Sequence, residues 1–230
     1  MQQCPLDWKA YTWIAQYEAR LAASTKMEMV LRARSLNPSH ADLAYLAGKL
    51  AWDQIGVDAA LPHWRDSLAM SLDHLPEISD AVRGRLSASD WITRLLPDDP
   101  VVIFAAATEV ESEFREKLLE RTLALLDSSD ELSRLPRPGQ WDALRGEALV
   151  ELGRHDEGIA HMRRAINQQP ENVSWRLKFA AWCVNEERLS EAVREIRVVL
   201  TLDPGNKQAF LLQQEVSQRK ARAAKPLKST

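Results

Sequence analysis

Residues 141–170 read WDALRGEALVELGRHDEGIAHMRRAINQQP, and residues 175–204 read WRLKFAAWCVNEERLSEAVREIRVVLTLDP. Laid 34 residues apart, the two blocks place Trp141 over Trp175, Leu149 over Cys183, Gly158 over Ala192 and Ile159 over Val193. Met162 falls over Ile196, Ala165 over Val199, Ile166 over Leu200 and Pro170 over Pro204. Apolar positions recur at intervals of three and four, the spacing of one helix face. A short turn splits each block into two such runs, and a proline ends it. The pattern over 136–204 predicts tandem helix pairs, hence an all-α, alpha-alpha superhelix in which each repeat touches mainly its neighbours.

Working toward the N-terminus, the same grammar weakens. Trp8, Tyr11, Ile14, Ala15 and Leu21 have helical spacing, and a second run from Ser24 or Thr25 ends at Leu36-Asn37-Pro38. Proline disfavours helix at the residue before it, so Pro38 closes that unit. Pro5 stands one near-repeat earlier, which points to Met1–Pro5 as the tail of a preceding repeat and to a longer protein. The alternative is that Pro5 opens a helix. Leu43, Leu46, Ala47, Leu50 and Ala51 make the next stripe, with Gly48 allowing two helices close approach. Its partner covers 58–72, where Pro62 is expected in the first turn.

Residues 75–100 break the pattern. Ile78, Val82 and Leu86 suggest one short helix, and Ser87 or Ser89 would cap another through Trp91 and Leu95. This middle pair is expected to be irregular. A helix pair returns over 98–126, with Asp98 and Asp99 favouring its start. The non-periodic stretch 127–140 is the candidate boundary, giving an N-terminal array over 1–130 and regular repeats plus a capping helix over 131–218. Beyond Arg219 the sequence turns basic and reads as a flexible tail, 219–230.

The spacing resembles the tetratricopeptide repeat, for which a period of 34 is the signature length. Residues 141–170 carry Trp141-x2-Leu144, Gly146, Leu149, Leu152-Gly153, Gly158-Ile159, Met162, Ala165 and Pro170. The second block carries Trp175, Phe179-Ala180, Cys183, Leu189, Ala192-Val193, Ile196, Val199 and Pro204, with Glu187 where the turn glycine belongs. The resemblance implies a groove lined by the first helix of each pair, where family members mostly bind peptides or protein surfaces. Carried over, it names Asp42, Tyr45, Lys49 and Trp52 in one unit. In the later units it names Gln140, Ala143, Glu147 and Val150, then Ser174, Leu177, Ala181 and Val184. The lining lacks the Lys, Arg and Asn cluster of members that clamp a carboxylate terminus. Trp52 and Trp182 extend the apolar face of their repeats and are the aromatic anchor candidates. Trp8, Trp64, Trp141 and Trp175 read as packing residues. A fainter resemblance links Cys4-Pro5-Leu6-Asp7-Trp8 and Leu96-Pro97-Asp98-Asp99-Pro100 to soluble repeat regions of bacterial membrane and envelope polysaccharide-assembly proteins.

Composition bounds the function. The formal charge of −3 gives no global pull toward nucleic acid or anionic lipid. No apolar run reaches the roughly 18 residues of a membrane span. Two cysteines, Cys4 and Cys183, make neither a disulfide framework nor a zinc set. They favour a reducing, cytoplasmic setting, with a periplasmic or membrane-associated one if the chain is fused to a membrane protein. The five histidines lack metal spacing, and the acidic run from Glu109 to Glu120 reads as a solvated face. Phosphate-binding glycine loops and nucleophile elbows are missing. The expectation is therefore a non-catalytic scaffold without cofactor that binds another protein or peptide. A glycan or small molecule held between stacked helices is the alternative.

Overall fold

The computed structural model describes residues 7–17, 20–110, 112–128 and 139–223. Among these, all regular structure is helical. The chain divides into two compact units, Met1–Leu125 and Leu126–Thr230.

The first unit begins with two hairpins. Helix α1 (Trp8–Tyr17) packs on α2 (Ala23–Leu36), and α3 (Ala41–Gln54) on α4 (Val57–Met70). Helix α2 starts at Ala23, ahead of Ser24 and Thr25, and its N-cap Ala22 makes no side-chain hydrogen bond. Gly48 is needed where α3 crosses α4, because a Cβ there would run into the Trp64 ring. Pro62 corrects the sequence reading: it lies inside α4, past the first turn, on the exposed side of the helix. There the helical bond it cannot make is lost on a water-facing surface.

The middle pair is irregular, as its sequence suggests. Helix α5 (Leu75–Val82) is short. Ser87 and Asp90 form a reciprocal capping box that opens the single turn α6 (Ala88–Asp90). That turn runs on into a wider coil, Trp91–Leu95, closed by the Leu96 N–H donating to the Trp91 carbonyl at 2.8 Å. Asp99 caps α7 (Pro100–Thr108) by accepting from the Val101 N–H at 2.7 Å. Helix α8 (Ser112–Ser128) follows. The fully buried side chains of this unit include Leu43, Leu61, Leu68, Ile78, Trp91, Leu95, Leu96, Ile103, Leu118 and Leu119.

The second unit holds the regular repeats. Helix α9 (Gln140–Glu151) pairs with α10 (His155–Gln168), and α11 (Val173–Asn185) with α12 (Leu189–Leu202). Helix α13 (Lys207–Ala223) packs on α11 and α12. Its core runs from Ala143, Ile159, Met162 and Ile166 through Phe179, Cys183 and Ile196 to Ala209 and Val216. The proline punctuation works as the sequence implies. Asn37, Gln169 and Asp203 each precede a proline, and their backbones leave the helix in one conformation, φ/ψ −140/76°, −133/79° and −138/86°. The basic segment is corrected in part: Arg219 to Ala223 continue α13. Residues 224–230, and the greater part of the expected boundary stretch 127–140, lie outside the described residues.

Candidate functional site

In the second unit the first helices of the pairs, α9 and α11, carry outward stripes. On α9 the partly exposed positions Gln140, Leu144, Glu147 and the exposed Glu151 recur at four, three and four. On α11 Ser174, Lys178, Ala181 and Asn185 do the same. Such spacing puts each set on one face of its helix. Lys178 Nζ reaches from α11 to Glu147 Oε1 on α9 at 2.6 Å, tying the two stripes together. Lys178 is about half exposed (47%) and Glu147 much less (19%), so the carboxylate is held from the side. An ion pair at this exposure contributes at most about 1 kcal/mol. Its effect is to fix the geometry of a polar surface.

Other side chains lock consecutive repeats in register along the same unit. Arg188 pairs with Asp156, and His155 Nδ1 lies 3.1 Å from Glu186 Oε1. Arg163 on α10 reaches Glu191 on α12 at 2.5 Å. Arg219 donates to the Val184 carbonyl at 2.9 Å and to the Glu187 carboxylate at 2.8 Å, fastening α13 to the end of α11.

The named groove positions of this unit separate into two groups. Gln140, Glu147 and Ser174 stand on the outward stripes. Leu177 does not: it is buried in the core, as are Ala143 and Val184. Trp182 is half-buried and packs against that core. Lys178, one residue beyond Leu177, is the position that the sequence reading missed. Its helical interval of four from Ser174 was the available signal.

In the first unit Asp42, Tyr45, Lys49 and Trp52 share one face of α3, but the following segment covers most of it. His74 donates from Nε2 to Asp42 Oδ1 at 3.0 Å and stacks on the Tyr45 ring with centroids 4.0 Å apart. Burial, with the Glu77 charge adding, raises the Tyr45 hydroxyl above its ordinary pKa. Arg85 lies over the Trp52 ring at 4.6 Å, and Trp52 also meets Trp64 at 5.3 Å. Lys49 remains exposed. These aromatic residues therefore hold the irregular segment in place. Beside that segment lies an open recess of about 280 Å³ lined by Leu86, Trp91, Val110 and Phe114 with Arg83 and Glu109, and Trp91 and Phe114 meet edge to face at 5.3 Å.

Titratable groups in the second unit are mostly engaged. Burial, reinforced by Glu191, pushes the Cys183 thiol up to about 11, which leaves it protonated and unreactive at neutral pH. Among the described residues, no group of three His, Cys, Asp or Glu side chains could hold a metal, and no helix is long and apolar enough to cross a membrane.

No protein-family model matches the chain, and neither does any curated protein. Solved structures do. A chain of the APC/C hetero-tetramer Cut9-Hcn1 superposes with a TM-score of 0.50 and 11% identity, over 91% of this chain and 42% of that one. This chain thus spans about two fifths of the length of that match. PilF of Pseudomonas aeruginosa aligns with a TM-score of 0.46 and 13% identity, over 94% of this chain and 85% of that one. TTC0263, a thermophilic TPR protein of Thermus thermophilus, aligns with a TM-score of 0.46 and 18% identity, over 93% of this chain and 99% of that one. At such identities a likeness concerns the fold alone, and the fold is that of a tetratricopeptide-type helical repeat.

Proposed function

We infer that this tetratricopeptide-type array is a non-catalytic scaffold that seats another protein, or a peptide segment of one, along the outward stripes of α9 and α11. The observation that carries the reading is the Glu147–Lys178 pair. It joins two repeats across the row of first helices, whose stripes also carry Gln140 and Ser174, with the half-buried Trp182 on α11. Rigid presentation of this kind lowers the entropic cost of ordering a flexible partner. The half-buried indole supplies the apolar component that an otherwise charged strip lacks.

A photo-crosslinking residue at position 174 tests it. A matched probe at Ala160, exposed on α10, serves as the control face. The expected result is a discrete protein adduct at 174, lost when Lys178→Glu is added and absent from 160. Equal labelling from both faces, or labelling at 174 indifferent to Lys178→Glu, would overturn the assignment.

A further inference from the structure

Helix α13 occupies the place of a first helix in a third repeat. Asn172 caps α11 by accepting from the Trp175 N–H at 3.1 Å, and Asn206 caps α13 by accepting from the Ala209 N–H at 3.0 Å. The two caps are 34 residues apart, as the repeat demands. In the preceding repeat, α12 fills the seat formed by α10 and α11. Ile159, Met162 and Ile166 of α10 and Phe179 and Cys183 of α11 are all buried in that core. One repeat later the corresponding positions are Val193, Ile196 and Leu200 of α12 and Gln213 and Ser217 of α13. Here they line an open groove of about 330 Å³, with Val216 completing its floor. Phe210 lies on the α13 face that carries Gln213 and Ser217, and it is 45% exposed.

The charge around this groove is one-sided. Arg197 and Lys220 stand on its rim, and neither has an ion-pair partner among the described residues. The acids of the same two helices are spoken for: Glu191 by Arg163, Glu195 by Arg176 and Glu215 by Arg219. A basic rim therefore surrounds an apolar floor in a chain whose formal charge is −3.

We propose that this groove is a second docking surface, which receives an acidic amphipathic helix from a partner protein in the position of a repeat's second helix. The shape follows from register, because the same seat one repeat earlier holds a helix. An apolar stripe at three- and four-residue spacing meets Val193, Ile196 and Leu200, in the helix-in-groove manner. Carboxylates flanking that stripe meet Arg197 and Lys220. Gln213 and Ser217 replace Phe179 and Cys183 in the seat and keep it compatible with water, which suits an occupant that comes and goes. The surface is separate from the α9–α11 strip and stands or falls independently of it.

The test uses the full chain and a designed probe: a labelled peptide of residues 187–204 in which Arg194 and Arg197 are both replaced by Glu, giving an acidic copy of α12. The unaltered 187–204 peptide, which has three arginines against four acids, is the near-neutral control. Fluorescence anisotropy should show saturable binding of the acidic peptide, weakened at least about tenfold by Arg197→Glu with Lys220→Glu in the protein, a loss of about 1.4 kcal/mol. Circular dichroism confirms that the doubly changed protein stays folded. Lack of saturable binding, or equal binding of the unaltered peptide, overturns the proposal. So does binding that appears only after residues 224–230 are removed, which would make that segment the occupant. A concentration-dependent dimer abolished by the same two substitutions would assign the groove to a second copy and also overturn it.

Discussion

Gly153 and Glu187 occupy the same place in consecutive hairpins, and both hold a left-handed backbone, with φ of 77° and 56°. The hydrogen bonds around them repeat as well. The N–H of Arg154 donates to the Leu149 carbonyl and that of Arg188 to the Cys183 carbonyl, both at 2.8 Å. The N–H groups of Gly153 and Glu187 donate to Val150 and Val184 at 2.9 and 3.2 Å. Each first helix is thus closed by the same paired bonds, a Schellman ending. Glycine takes this backbone freely. Glutamate crowds its own Cβ there, at a cost of about 1–2 kcal/mol.

Opposite outcomes are expected at the two positions. Gly153→Ala should destabilise the protein by about 1 kcal/mol, although its Cβ would meet nothing within 4 Å. The loss is purely conformational. Glu187→Gly should stabilise by about 0.5–1 kcal/mol, because the pair it forfeits with Arg219 is two-thirds exposed on the Glu187 side and contributes little. Urea unfolding followed by circular dichroism measures both. A stabilised Gly153→Ala, or a destabilised Glu187→Gly, would show that the shared turn does not limit stability.

What the sequence made legible and what it hid have physical reasons. The hairpins, their 34-residue period and their proline stops were readable because each is set by residues close in sequence. The outward stripe of α11 was misplaced at Leu177 for a different reason. A first helix is buried on two sides, against its own partner and against a neighbouring repeat. An apolar periodicity marks both sides without saying where the third begins. Lys178 and Leu177 are adjacent, and only packing distinguishes them. Tyr45 and Trp52 were hidden in another way: His74 and Arg85 cover them from the one segment whose sequence has no repeat. The wide coil at Trp91–Leu95 likewise left no local mark, since its capping box looks like the start of an ordinary helix.

The crossing of α9 and α10 depends on two glycines where the next hairpin has Ala180 and Ala192. A Cβ on Gly158 would sit 2.8 Å from the Gly146 carbonyl oxygen and 3.2 Å from the Val150 nitrogen. One on Gly146 would sit 2.9 Å from the Gly158 carbonyl oxygen. These neighbours are backbone, so the helices would have to separate. Alanine gains up to about 1 kcal/mol of helix propensity over glycine, against an overpacking cost of about 1–3 kcal/mol. Gly158→Ala is therefore expected to destabilise by about 1–2 kcal/mol, despite restoring the residue that the second repeat uses. Thermal unfolding of this variant beside Ala192→Gly, which should also destabilise, checks the claim. A raised melting temperature for Gly158→Ala would mean that the crossing can widen without loss.

Acid should weaken the second unit through His161 and Asp142. Nδ1 of the ring lies 2.9 Å from Asp142 Oδ1, and Arg164 Nη2 sits against both ring nitrogens, 2.6 Å from Nδ1 and 2.8 Å from Nε2. A guanidinium this close disfavours a second positive charge on the ring and so favours the neutral imidazole. Burial, aided by the Arg164 and Arg145 charges, outweighs the pull of Asp142 and lowers the His161 pKa from its ordinary 6.5. For Asp142, burial pushes upward, but hydrogen bonds from His161 and Arg164 prevail and hold its carboxyl below 3.8. Both groups thus bind protons more tightly in the unfolded chain, so stability falls as pH falls. The His161 contribution is complete above 6.5 and is lost as the pH drops from there through its folded value; the Asp142 contribution follows below 3.8. His161→Gln keeps a donor for Asp142 and removes the first step. Urea midpoints from neutral pH down to about pH 5, across the ordinary histidine range, should decline less steeply in this variant than in the parent. The comparison must be between the two proteins, because His63 in the first unit is lowered likewise by burial and Arg34. Parallel declines in parent and variant would show that the ring is not held neutral by its neighbours.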